Sequence, residues 1–365
     1  MPWDCFVPGH NGGPIRLRLL RTRYPHWGRS TGTDQFLRYL PTQRYRADVR
    51  MVNDGDEDFP FTALALRAPL RHLVQRKGMA WYKLSDLAAE LRAGIAAAAG
   101  RIDLLHYLDG EHSAQYLPRV GRLLSRGRTR VIATYHQPAA LLAGLTRRDV
   151  VRRLDAAILV SETQRPFFEG LLPRDRVVVI PHGVDAEIFR PLVGSKDEGV
   201  FRCITVGHYL RDYEAVRAVA ERLRHDPGVR FDIVSPRDTG LEDLPNVTHH
   251  RGVSDAALVE LYQRAHLLLL PLQDATANNA LLEGTACGLP VLSTRLEAVR
   301  IYVPGDEAIL LERNDPDAMC EAIDRLRQDP ADRARRAVLA RARAETLAWP
   351  ALAPRFDRLY TEVLG

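Results

Sequence analysis

The sequence predicts a doubly wound α/β fold built as two successive units. Short apolar runs of strand length alternate with longer amphipathic segments, the pattern of parallel βα units. The alternation breaks once, over 191–199 (PLVGSKDEG), and then resumes. The length of 365 residues suits about two domains.

In the first series, strands are expected at 15–20, 47–52, 104–108, 130–134, 157–160 and 177–180. Each is brief, apolar and followed by a polar or glycine-containing loop. Helices are expected between them, as at 84–99 and 146–154. The second series has strands at 202–206, 230–234, 247–249, 267–270 and 290–293, separated by helices at about 214–225, 255–264 and 279–287. The tail from Pro316 reads as mostly helical, and no internal repeat or low-complexity segment interrupts the pattern.

Composition narrows the class. Hydrophobic residues at 46% and charged residues at 27% exclude disorder as the main state. No run of eighteen apolar residues occurs, so no membrane-spanning helix is expected. The start, 1–10, lacks a basic segment followed by an apolar one, and no signal peptide is expected. Cys5, Cys203, Cys287 and Cys320 are scattered without metal-ligand spacing, which suggests reduced thiols, a cytoplasmic location and no metal or cofactor. The 51 basic and 46 acidic residues leave a net charge of +5, with basic runs at 16–23 and 67–77. Such runs could meet an anionic membrane from its inner face, a phosphorylated acceptor or nucleic acid, against the plainer reading of a solvated surface. No zinc-finger, RNP or helix-turn-helix pattern supports nucleic acid.

Ligands of doubly wound sheets bind beyond the carboxyl ends of the strands, so the strand-to-helix loops are where chemistry is sought. The segment 272–294, LQDATANNALLEGTACGLPVLST, follows the very apolar run 267–270. It opens a helix at Asn278 or Asn279, whose backbone N–H groups suit a phosphate. Glu283 lies one turn in, where a carboxylate can accept two ribose hydroxyls. A helix this apolar should be buried, which makes a lone Glu costly without a partner.

This segment resembles the donor-site helix of retaining GT-B glycosyltransferases of family four, which carries E-x7-E followed by ACGLPVV. Three further stretches follow the family's order: VVVIPHGVDAEIF at 177–189, LDAAILVSE at 154–162 and TVGHYLR at 205–211. The resemblance implies two Rossmann-like domains facing a catalytic cleft. The expected division is an acceptor-binding domain at 1–190, a linker at 191–199 and a nucleotide-sugar-binding domain at 200–345. A final helix over 346–365 would cross back to the first domain. The implied reaction is metal-independent hexosyl transfer with retention. UDP is the commoner nucleotide of the resembling family and GDP the alternative. The acceptor would be a saccharide, a lipid-linked saccharide or a natural product.

Residue by residue, Arg211 occupies the place of the basic residue on the donor diphosphate, which a guanidinium can grip in two-pronged fashion. The alternative is a surface Arg paired with Asp212 or Glu214. His208 is a second phosphate candidate, and Arg251 and Val253 border the nucleotide base. In the first domain, GRSTGTDQF at 28–36 resembles the family's glycine loop and is expected to open a helix. It offers Arg29, Ser30 and Thr31 to the acceptor and Gly32 to the donor phosphate. His136 matches the family's histidine near the transferred sugar, and His112 is a further acceptor candidate. Asp109, Glu111 and His112 lack the HExxH spacing, so they are not read as a metal site. The sequence departs from the family where the first Glu of E-x7-E would fall, at Ala275; the neighbouring Asp274 is the carboxylate that could substitute. That departure keeps a non-catalytic GT-B subunit open as an alternative. A sugar-nucleotide 2-epimerase is the other.

Overall fold

A computed structural model of the chain describes residues 13–24, 32–60, 64–75, 78–192, 194 and 199–365, without the side chains of 64–66 and 122. The described residues divide into two compact units. One holds Thr33–Pro181 and Leu352–Gly365 with the start of the chain; the other holds His182–Ala351, joined by Gly32.

In the first unit the strands are β1 (Ile15–Arg23), β2 (Tyr45–Asn53), β3 (Leu104–Tyr107), β4 (Arg130–Tyr135), β5 (Ala156–Leu159) and β6 (Val177–Val179). They form one parallel sheet in the order β2-β1-β3-β4-β5-β6. β3 and β5 are buried at every position, as strands covered on both faces are, which explains the unbroken apolar run of β5 and the run of β3 that only His106 interrupts. The helices are α1 (Leu64–Val74), α2 (Leu84–Ala98), α3 (Gly110–Ser113), α4 (Leu117–Leu124), α5 (Ala139–Leu145), α6 (Arg148–Val151) and α7 (Arg165–Phe168). The helix expected at 146–154 is corrected to the shorter α6, with the unexpected α5 before it. Thr146 between them is extended, at φ −135° and ψ 134°, and ends α5.

Most of the basic run at 16–23 is neutralised. Arg16 pairs with Asp103, Arg18 with Asp48 at 2.8 Å and Arg21 with Asp34 at 2.6 Å, while Arg23 at the strand's end is exposed. The helix expected after the 28–36 loop is also corrected. Its described part gives a short 3-10 turn, Gln35–Tyr39, whose leading Asp34 caps nothing with its side chain because Arg21 holds it.

The first unit is completed by the chain's last residues. Phe356 stacks on Phe36 with ring centroids 3.9 Å apart. Tyr360 bonds His106 Nδ1 at 2.7 Å, while His106 Nε2 bonds Thr134 Oγ1 at 2.8 Å. Burial pushes the His106 imidazole down to about 3, so the ring is neutral within this network.

In the second unit, β7 (Phe201–Val206), β8 (Val229–Val234), β9 (Val247–His250), β10 (Leu267–Leu270), β11 (Val291–Thr294) and β12 (Ala308–Leu311) pair in the order β12-β11-β10-β7-β8-β9, again all parallel. Its helices are α8 (Tyr213–Arg222), α9 (Asp255–Arg264), α10 (Asn279–Ala286), α11 (Glu297–Tyr302), α12 (Pro316–Gln328), α13 (Pro330–Thr346) and the start of α14 (Trp349–Leu364). α8 and α12 pack on one face of the sheet, and α9, α10 and α11 on the other. The four leucines of β10 are fully buried between the two layers.

Candidate functional site

Strand order locates the crevice of the second unit. β7 and β10 are neighbours whose connections run to opposite sides, so the topological switch point lies beyond their carboxyl ends. The two loops there are those carrying the residues singled out in the sequence. They are tied together: Asp212 N–H donates to Pro271 O at 3.0 Å and Gln273 N–H to Leu210 O at 3.0 Å.

Arg211 is half-buried in this crevice. Its Nε donates to Val206 O at 3.0 Å, its Nη1 to Tyr209 O at 2.8 Å and its Nη2 to Asn278 Oδ1 at 3.1 Å. The surface pairing with Asp212 or Glu214 does not occur; Asp212 instead caps α8 through Ala215 N–H and accepts from Asn314 at 2.8 Å. A guanidinium has five N–H donors, so three bonds to the protein leave two for a ligand. Burial pulls its pKa down, with Tyr213, Tyr262 and Glu283 opposing, and an arginine stays charged through such a change. Gly207 is required beneath it. Its φ is +90°, and a Cβ there would stand 2.9 Å from Arg211 Nη2.

Asn278 caps α10 by accepting from Leu281 N–H at 3.3 Å. The N–H groups of Asn279 and Ala280, in the first turn, fall outside the helix's own bonding ladder. The switch point thus brings together a guanidinium and a helix start. Glu283, one turn on, is buried, and Tyr262 Oη donates to its Oε2 at 3.0 Å. This is the partner that its burial demands, supplied by α9. Asn279, Leu282 and Glu283 line a small hollow with His182, Asp185 and Trp349.

The remaining expected residues of this unit are placed differently. His208 is half-buried in the β7–α8 loop. Asp274 turns back on its own loop, accepting from Ala275 N–H at 2.7 Å. Arg251 lies on the exposed rim with its guanidinium engaged by Asp238, Glu242 and His249, so only its backbone is left to border a base. Val253 packs against the core.

Sequence reasoning missed a polar clamp under the site. Thr294 Oγ1 accepts from Leu272 N–H at 2.8 Å, and Asn314 Nδ2 reaches both Asp212 Oδ2 and Leu272 O, at 2.8 and 3.1 Å. These contacts fix the loop of Arg211 against the loop before α10. Asp212, Thr294 and Asn314 share no local pattern, so nothing in the sequence signals the cluster.

In the first unit the loops beyond β3 and β4 bring His112 and His136 near Glu111. Arg29, Ser30 and Thr31 lie outside the described residues. His136 is half-buried; its N–H donates to Glu111 Oε1 at 2.9 Å and its Nε2 bonds Leu108 O at 2.7 Å. His112, the further acceptor candidate, is buried and links two acids. Its Nδ1 faces Asp86 and its Nε2 faces Asp54 at 3.1 Å. Burial alone would lower its pKa, but the hydrogen bonds to Asp54 and Asp86 and the charge of Asp109 outweigh that and carry it up to about 10. Among the described residues, no three His, Cys, Asp or Glu side chains form a group that could hold a metal.

A raised histidine pKa means that the folded chain holds this proton more tightly than the unfolded chain does. The resulting stability is fully present below about 6.5 and is lost as pH rises through about 10. The expected result is a melting temperature that falls between neutral pH and pH of about 10. In His112→Gln this part of the slope should vanish, which thermal melts across that range would check.

Known proteins resemble this chain in sequence and in fold. The family description "Glycosyltransferase Family 4" matches residues 28–188, and "Glycosyl transferases group 1" matches residues 203–329. A D-inositol 3-phosphate glycosyltransferase of Thermomonospora curvata is 27% identical over 320 residues, 74% of this chain and 74% of the relative. The enzyme of that name from Acidothermus cellulolyticus is 30% identical over 299 residues, 68% of this chain and 64% of the relative, just under two thirds of its length. Among solved structures, sucrose-phosphate synthase from Thermosynechococcus elongatus has a TM-score of 0.72 at 16% identity, covering 96% of this chain and 99% of that one. Anabaena HepE in complex with UDP has a TM-score of 0.65 at 13% identity, covering 95% and 100%. At those identities the likeness is one of fold, and the fold is GT-B.

Proposed function

The chain belongs to the family-four glycosyltransferases of the GT-B fold, and on that premise we propose that it moves a hexosyl group from a UDP-sugar to a hydroxyl acceptor with retention of configuration. The observation that carries the proposal is the bond from Arg211 to Asn278, which sets a guanidinium beside the start of α10 at the switch point. Breaking a sugar–diphosphate bond leaves negative charge on the departing oxygens. Fixed donors aimed at that charge lower the barrier. Arg211 and the first-turn N–H groups of α10 supply them, with no metal ion in the mechanism. His208 is a further diphosphate contact in this reading.

Glu283, held by Tyr262, accepts the ribose hydroxyls, and the backbone at Gly252 and Val253 borders the base. His136 contacts the transferred sugar, and Gly32 lies against the donor phosphate. The acceptor belongs to the first unit, with Arg29, Ser30 and Thr31 as its contacts; His112 acts there only by holding Asp54 and Asp86. The UDP in HepE and the phosphorylated cyclitol in the relatives' name favour a UDP donor and a polyhydroxylated acceptor.

The test is incubation with labelled nucleotide-sugars. Slow release of free sugar of the donor's own anomeric form supports retaining transfer, and exchange at C2 would point to an epimerase instead. Ala275 stands where the family carries a carboxylate, which favours a catalytically silent subunit as the second reading. Neither release nor exchange with any donor would support that one. Sugar release is expected to survive EDTA undiminished; a complete loss restored by magnesium would refute the metal-free mechanism.

A further inference from the structure

Arg16, Arg18 and Arg21 of the first basic run and Arg71 of the second are held in ion pairs, but the fold assembles a different cationic face. α2 and α4 pack side by side in the first unit. Glu90 of α2 accepts the N–H groups of Tyr116 and Leu117 at the start of α4, at 3.0 and 2.9 Å, so the two helices are joined as one surface. They approach closely at Gly94, where a Cβ would stand 3.2 Å from Leu117 Cδ1 and 3.5 Å from Leu124 Cδ1.

Along this seam large apolar side chains face outward. Leu91 and Ile95, one turn apart on α2, are 57% and 71% exposed, and Leu123 on α4 is 82% exposed. Val120 and Leu124 share its face. Exposed apolar groups are ordinary when single, but a contiguous set on two joined helices marks a surface that meets something.

The charge around it selects the partner. Every acidic residue of 84–130 is buried, whereas Arg92, Arg101, Arg119, Arg126 and Arg128 are exposed. Among the described residues, Asp149 of α6 stands 3.3 Å from Arg119, and Arg92 donates to the backbone oxygen of Asp58 at 3.1 Å, so acids touch this rim at its edges only. A second copy of the chain docking here would set arginine against arginine. A bilayer of anionic lipids answers both features: leucine and isoleucine enter the acyl boundary while arginines stay at the phosphates.

We propose that the α2–α4 face of the first unit docks on the surface of an anionic membrane. Among the described residues no helix is long and apolar enough to cross one, so the chain would lie on the bilayer through this face. The proposal stands independently of the glycosyltransferase reading.

The test is co-sedimentation of the full chain with vesicles of phosphatidylcholine alone or of phosphatidylcholine and phosphatidylglycerol in equal parts. The expected result is binding to the anionic vesicles only, weakened by high salt. Ile95→Ser/Leu123→Ser should reduce binding at least about tenfold, and Arg126→Gln about fivefold. These positions are exposed, so unchanged thermal melts are expected of both variants. No sedimentation with anionic vesicles would overturn the proposal. Binding that neither variant weakens would overturn its assignment to this face. A dimer in solution broken by Ile95→Ser/Leu123→Ser, without vesicle binding, would assign the face to a second copy and overturn it equally.

Discussion

Arg211→Ala is expected to lower kcat by about a hundredfold or more, the scale of one lost preorganised electrostatic donor, with a smaller effect on nucleotide-sugar affinity. Charge accumulates on the diphosphate as the sugar bond breaks, so a fixed guanidinium stabilises the transition state more than the bound substrate. The three bonds that Arg211 makes to Val206, Tyr209 and Asn278 hold it in place beforehand. Arg211→Lys should recover only part of the rate, because an ammonium cannot reproduce the planar fork. Arg211 also ties its own loop to α10, so a thermal melt must accompany the kinetics. Near-normal kcat in a folded Arg211→Ala protein would remove this residue from the mechanism and leave His208 as the next candidate.

Glu283→Ala is expected to act on KM instead. A carboxylate that holds ribose hydroxyls binds ground and transition states alike, so its loss raises donor KM and leaves kcat nearly unchanged. A charged hydrogen bond of about 1.5–3 kcal/mol corresponds to a rise of roughly ten- to a hundredfold. Glu283 is buried against Tyr262, so alanine also strands the Tyr262 hydroxyl and leaves a void. Glu283→Gln separates the two effects, since an amide oxygen can still accept from Tyr262 while the charge is gone. The expected outcome for Gln is a raised donor KM with little loss in melting temperature. An unchanged donor KM in Gln with a lowered melting temperature in Ala would make Glu283 purely structural.

Much of the fold could be read from the chain because parallel strands covered on both faces must be apolar throughout. β10 is the clearest case: its four leucines coincide with the run seen in the sequence. β12 escaped because Ala308–Leu311 is short and only half-buried at the sheet edge. α4 escaped because Pro118 and Gly121 within eight residues mask its helical character. The burial of Glu283 was legible from the apolar helix around it. Its partner Tyr262 was not, because α9 gives no sign of where one hydroxyl points. The same holds for the link between Arg211 and Asn278, which lie 67 residues apart and meet only through the order of β7 and β10. Arg251 and His112 were visible as ligand-type residues, but the neighbouring acids that hold them were not. The acids that pair with Arg16, Arg18 and Arg21 of β1, namely Asp103, Asp48 and Asp34, were likewise not legible from the charge run itself.

The stacking of Phe356 on Phe36 and the bond from Tyr360 to His106 bear on how the chain is made. A ribosome releases the first unit's strands early, yet their packing is completed by Leu352–Gly365, which emerges only after the second unit. The second unit is contiguous over His182–Ala351 and has nearly its whole sequence available sooner. Domains usually fold in the order of synthesis. Here the earlier unit is finished after the later one, and a nascent chain halted at 351 would leave the aromatic site of Phe36 and the polar site of His106 open at the same time.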